Sequence, residues 1–107
     1  MKVITICGSM RFEKQMIETA SSLELNKGYC VLQCVYFDKN KNLTNDEILR
    51  IKEAHKKKID MSDAIFVMNV GGYIGESTRN EIDYAKKHGK DVLYFGKLGE
   101  INDNNGN

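Results

Sequence analysis

The chain predicts a three-layer α/β sandwich built on a parallel sheet of four strands, and three observations carry that reading. Four strand-like runs rich in β-branched and aromatic residues alternate with three runs of helical periodicity, the alternation expected when helices cross over between parallel strands and cover both faces. Helix starts and stops are marked, by the capping pattern Thr44-Asn45-Asp46-Glu47 and by Gly28 and Gly89 after two of the helical runs. The length of 107 residues leaves room for one domain, at the small end for a chain that must bury a full core.

The first strand is residues 3–7, followed by a helix over about 12–27 in which Phe12, Met16, Ala20 and Leu23 recur at helical spacing. Gly28 stands where a left-handed cap closes a helix. Residues 29–37 have strand composition and form the second strand. Thr44 opens the second helix with a capping box, and Ile48, Ile51, His55 and Ile59 fall on one stripe before it ends near Met61. Residues 63–68 are the third strand, about 77–88 the third helix and 91–95 the fourth strand. Residues 1–98 thus read as one domain and 99–107 as a flexible tail, its Asn102-Asp103-Asn104-Asn105-Gly106-Asn107 end holding nothing that packs.

Right-handed crossovers allow the strand order 2-1-3-4, a flavodoxin-like or Rossmann-like arrangement in which winding reverses between strands one and three. The crevice at that reversal is where open α/β sheets bind ligands. Two loops wall it here: Cys7-Gly8-Ser9-Met10-Arg11 after strand one, and Asn69-Val70-Gly71-Gly72-Tyr73-Ile74-Gly75 after strand three.

Composition narrows the function classes. A net charge of +1 with 29% charged residues describes a solvated surface with no basic track for a nucleic-acid polymer, and Lys56-Lys57-Lys58 fits a wet helix face. Cys7, Cys30 and Cys34 are odd in number and lack zinc-like pairing, so they read as reduced thiols of a cytoplasmic protein. No run approaches membrane-spanning length, and the amino-terminal apolar run is too short for a signal peptide. Neither a metal nor a cofactor is implied by ligand spacing.

Glu81 is the residue of greatest chemical interest. It falls at the start of the third helix, where the positive end of the helix dipole favours an ionised, nucleophilic carboxylate. Thr78 with Glu81 three residues on also fits a capping box, in which the carboxylate only returns to the cap backbone. The first loop has a similar double reading. Gly8, Ser9 and Arg11 can hold a phosphate through backbone N–H groups, a hydroxyl and a guanidinium, or can serve as a turn glycine, a helix cap and an exposed first-turn residue.

Taken in order, the motifs resemble the nucleoside 2-deoxyribosyltransferase-like superfamily, most closely its 2′-deoxynucleoside 5′-phosphate N-hydrolase branch, over most of the chain. Cys7-Gly8-Ser9-Met10-Arg11 matches the family's Cys-Gly-Ser-Ile-Arg-like motif, Ser62-Asp63 the pair before its hydrophobic strand, Glu81-Ile82-Asp83-Tyr84-Ala85 its nucleophile helix, and Gly89-Lys90-Asp91-Val92-Leu93 its closing element. The resemblance implies that Glu81 is the nucleophile, that Gly8, Ser9, Met10 and Arg11 hold a 5′-phosphate, and that Asn69, Gly71, Gly72, Tyr73, Gly75 and Ser77 shape the sugar and phosphate site.

Two positions depart from the pattern: His55 stands where the family usually has a sugar-binding aspartate, and Gly75 where the hydrolase branch has a phosphate-binding serine. His55, on the apolar stripe, is either a core histidine or a ligand contact, and Tyr73 either stacks on a base or covers its own loop. Asp63 would begin strand three, far from the crevice, and reads as structural. The implied activity is cleavage or transfer of the N-glycosidic bond of a nucleoside or nucleoside 5′-monophosphate through a covalent glutamyl-sugar intermediate, without a cofactor, in a homodimer or higher homo-oligomer. A non-catalytic nucleotide-binding module on the same fold is the alternative; hydrolysis of a nicotinamide dinucleotide is a third reading that needs a larger pocket.

Overall fold

A computed structural model describes residues 1–38 and 40–96; the tail expected at 99–107 lies outside them. β1 (Val3–Gly8) leads through a 3-10 turn, Met10–Phe12, into α1 (Glu13–Lys27), and Gly28 closes that helix at φ +68, in the left-handed region. There follow β2 (Cys30–Leu32), α2 (Asn45–Asp60), β3 (Ala64–Met68), α3 (Glu76–Lys87) and β4 (Asp91–Tyr94). The four strands form one sheet in the order β2-β1-β3-β4, every neighbouring pair parallel. This is a flavodoxin-like α/β fold.

Strand alternation divides the core into two. Ile6 and Met68 point to one face and pack with Phe12, Met16 and Ala20 of the segment leading into and along α1. Cys7, Ile65 and Val67 point to the other face, against Ile59 of α2 and Ile82 and Ala85 of α3. The central strands are buried on both faces, which is why their sequences are apolar but for Thr5, whose hydroxyl is hydrogen-bonded to Ser62. Gly8 ends β1 at a place with no room for a side chain. A Cβ there would stand 2.9 Å from Met68 Cβ and 3.1 Å from Met16 Sδ.

Polar anchors set the helix positions. Thr44 Oγ1 accepts the Glu47 N–H and the Glu47 carboxylate accepts the Thr44 N–H, so the capping box of α2 is complete. At its other end Ser62 donates to the Lys58 carbonyl at 2.7 Å and meets Thr5 Oγ1 at 2.6 Å, fixing the α2–β3 turn against the central strand. Asp63 accepts the Val3 N–H at 2.8 Å at the amino-terminal edge of the sheet, away from the crevice.

Two element boundaries differ from the sequence expectation. β2 covers three residues where 29–37 read as strand. Past Leu32 the chain leaves the ladder: Cys34 and Tyr36 pack on the α1-side core, and Lys58 Nζ donates to the Gln33 carbonyl at 2.6 Å. The β-rich composition there serves packing, which strand propensity largely measures. The second difference is in α3, whose N-cap is Gly75, with no side-chain cap. Thr78 is buried inside the helix, so Thr78 and Glu81 form no capping box.

Candidate functional site

A cleft of about 460 Å³ opens where β1 ends, between α2 and the start of α3. This is the crevice the strand order demands, since β1 is the strand on either side of which the chain winds in opposite senses. Gly8, Ser9 and Met10 reach it from the first loop, and Gly75, Glu76, Ser77, Thr78 and Glu81 from the third helix and its approach. α2 supplies Ile48, Ile51, Lys52, His55 and Lys58, and the segment after β2 supplies Cys34, Val35 and Phe37. The wall is thus apolar, with a few polar groups at definite places, the usual composition of a small-molecule site.

Glu81 lies in the second turn of α3, beyond the first turn where the helix dipole acts most strongly. What distinguishes its carboxylate is the company it keeps. Its side chain is 26% exposed, and Oε1 lies 3.6 Å from Nε2 of the buried His55. The same Nε2 is 3.4 Å from Cys7 Sγ. Sγ, the imidazole nitrogen and the carboxylate oxygen all lie within 4.8 Å of one another. Burial pushes the Cys7 thiol well above its ordinary pKa, and the negative Glu81 adds to the rise. Cys34 is likewise raised by burial, with a contact from Tyr36 opposing it.

Of the residues singled out in the sequence, Gly8, Ser9, Met10, His55, Gly75, Ser77 and Glu81 line one cleft. Arg11, Asn69, Gly71, Gly72 and Tyr73 do not line it. Arg11 is exposed and its guanidinium sits 3.9 Å from the centre of the Tyr73 ring, while Tyr73 also meets Phe12 edge-on. Tyr73 thus packs with Arg11 and Phe12 while 40% exposed. Asn69 is fully buried, and its Oδ1 accepts the Gly96 N–H at 2.7 Å, tying the end of β3 to the chain after β4. Gly71 and Gly72 adopt φ +62 and +83, conformations glycine adopts at no steric cost; they form the turn that returns the chain to Gly75. Ser9 is the cap of the 3-10 turn, its Oγ accepting the Arg11 N–H at 3.3 Å, and it still faces the cleft.

Lys52 was not singled out, and Lys58, read with Lys56 and Lys57 as a wet helix face, is instead part-buried; among the described residues these two are the lysines that line the cleft. Helical spacing carried the signal for Lys52, which stands four residues after Ile48 and three before His55 on the same face. Lys58 is already engaged by the Gln33 carbonyl. Cys7 reads from the sequence only as a reduced thiol; nothing local ties it to His55, 48 positions away.

No family model and no curated protein matches the chain. Among solved structures it is similar to a conserved protein from Enterococcus faecalis, at 19% identity and a TM-score of 0.61, over 88% of this chain and 62% of that one. Likeness at that identity speaks for the fold alone, and the chain spans about three-fifths of that protein's length. Among the described residues no helix is long and apolar enough to cross a membrane.

Proposed function

We propose that the cleft binds a nucleoside or nucleoside 5′-monophosphate and that Glu81 cleaves or transfers its N-glycosidic bond. The observation that carries this reading is a carboxylate released from capping and opening into an apolar cleft of about 460 Å³ at the end of the central strand. The order of motifs shared with the nucleoside 2-deoxyribosyltransferase-like superfamily supports it. The thiols near Glu81, Cys7 behind the cleft wall and Cys34 on it, are both pushed up in pKa by burial, and a thiol is a poor nucleophile without its thiolate.

The chemistry follows the two-step logic of retaining glycosidases. A Glu81 oxygen bonds to C1′ as the C1′–N bond breaks, and the base leaves with that electron pair and takes up a proton. Water or a second base then attacks C1′, gives up its proton and returns the carboxylate. His55 Nε2, at 3.6 Å from the carboxylate, stands beside Glu81 on the cleft wall. The apolar wall, with Phe37 and Ile51, offers the base a dry surface. Among the described residues of the cleft lining, Lys52 is the cation open to a 5′-phosphate, because Lys58 is already bonded to the Gln33 carbonyl. Three free thiols suit a reducing cytoplasm, where nucleoside monophosphates would be metabolised.

The test is incubation with a panel of nucleosides and 5′-monophosphates, free base being followed by chromatography. Base release is expected from at least one of them. Glu81→Gln is expected to lower turnover by about 10³-fold or more, the scale on which loss of a nucleophile reads in kcat. Ligand binding without base release would instead establish the non-catalytic module.

A further inference from the structure

We propose that Cys7 Sγ, His55 Nε2 and a Glu81 carboxylate oxygen form a three-donor site for Zn²⁺, with the fourth coordination position turned toward the cleft. The three donors come from β1, α2 and α3, and only the fold brings them together. Thiolate, imidazole and carboxylate together are the donor set of zinc, not of magnesium or calcium, which take oxygen ligands.

The distances suit one small tetrahedral ion. With Zn–S about 2.3 Å and Zn–N about 2.0–2.1 Å, tetrahedral geometry separates sulfur from nitrogen by about 3.6 Å; the observed separation is 3.4 Å. Nitrogen and oxygen donors on such an ion stand about 3.3 Å apart, against 3.6 Å here. The widest gap in the trio is at most 4.8 Å, and Glu81, whose side chain is partly exposed, is the ligand able to close it. An ion has a way in, because His55 and Glu81 both line the cleft.

Cys7 and His55 are buried and so held in place before an ion arrives. A metal on Nε2 takes that nitrogen's lone pair, so the ring proton then stands on Nδ1, which has no partner among the described residues. On binding, the Sγ–H proton leaves to solvent and the sulfur–metal bond takes its place. A carboxylate held by the ion cannot attack C1′. Zn²⁺ is therefore expected to inhibit base release, a consequence that rests on the function proposed above, whereas the site itself does not.

The test is a titration of the metal-stripped, phosphine-reduced chain with Co²⁺, followed by absorbance. One equivalent is expected to produce a near-ultraviolet thiolate-to-cobalt band together with the visible bands of tetrahedral cobalt, and Zn²⁺ should bleach both. Cys7→Ser should abolish the thiolate band, while Cys30→Ser and Cys34→Ser keep it. Loss of a second-shell partner alone costs about 10–100-fold in affinity, so His55→Gln and Glu81→Gln should each weaken binding by more than about tenfold. These two also serve if Cys7→Ser does not fold, as circular dichroism would show. A folded chain that gives no thiolate band, a band that survives Cys7→Ser, or affinity untouched by both His55→Gln and Glu81→Gln would overturn the site. None of these readings requires the protein to be active, so failure of the base-release assay leaves the metal result independent.

Discussion

Of the residues from which the sequence leads one to expect a hold on a 5′-phosphate, Gly8, Ser9, Met10 and Arg11, the one cation lies away from the cleft. A guanidinium stacked 3.9 Å from the Tyr73 ring centre is part of the loop's own packing, whereas the Lys52 side chain borders the cleft. If a 5′-phosphate is bound there, Lys52→Met should weaken a nucleoside monophosphate by about tenfold, as loss of one charge-assisted contact of about 1.5 kcal/mol would. The unphosphorylated nucleoside should be unaffected, and Arg11→Ala should change neither. Calorimetric titration of both ligands against both variants checks this, and a selective loss in Arg11→Ala would return the phosphate to the first loop. Gly8 poses a separate question at the same scale. Since an added Cβ would lie 2.9 Å from Met68 Cβ, Gly8→Ala is expected to destabilise the fold by about 1–3 kcal/mol, the usual cost of overpacking, read from urea unfolding. An unchanged midpoint would show that β1 and β3 can move apart at no cost.

Among the elements, α2 brings both His55 and Lys52 to the cleft, so its start matters beyond local stability. Thr44→Ala removes one half of the capping box and should cost about 1 kcal/mol. The hydrogen bond from the Thr44 backbone lowers the pKa of Glu47, so its ionised form is favoured in the folded chain. The stabilisation is then present above the unfolded carboxylate pKa and is lost as pH falls through the folded one. Unfolding of the wild type and Glu47→Gln should accordingly differ at neutral pH and converge in acid; a difference that persists in acid would assign the bond's worth to geometry alone. This capping box was legible because both halves are local, and so were the helices with a 3.6-residue stripe. The start of α3 was not, because Thr78 and Glu81 carry the same pattern as a box while Gly75, which has no side chain, is the cap. β2 was overread for a related reason: residues that cover a core after leaving the sheet have the same composition as residues within it.

For the molecule as a whole, the strand order and the place of the crevice followed from alternation and handedness, which need no knowledge of contacts. The Cys7–His55–Glu81 trio could not be read that way, since its members sit on three elements and share no spacing. The same architecture bears on assembly. α1 lies on one face of the sheet and α2 and α3 on the other, and the apolar side of the cleft continues into exposed side chains: Val35 and Ile48 line it yet are exposed, and Leu49, next to Ile48 on α2, is 55% exposed. Large apolar side chains grouped at the edge of a site mark a surface that gains by being covered, and a second copy meeting it about a two-fold axis would both bury them and shut water from the cleft. A homodimer is therefore expected, with light scattering at micromolar concentration giving twice the 12.2 kDa chain mass. Leu49→Asp, at a position outside the cleft lining, should return the mass to that of one chain while circular dichroism stays unchanged. A wild-type chain that scatters as a monomer would refute the dimer, and a dimer untouched by Leu49→Asp would move the interface away from α2.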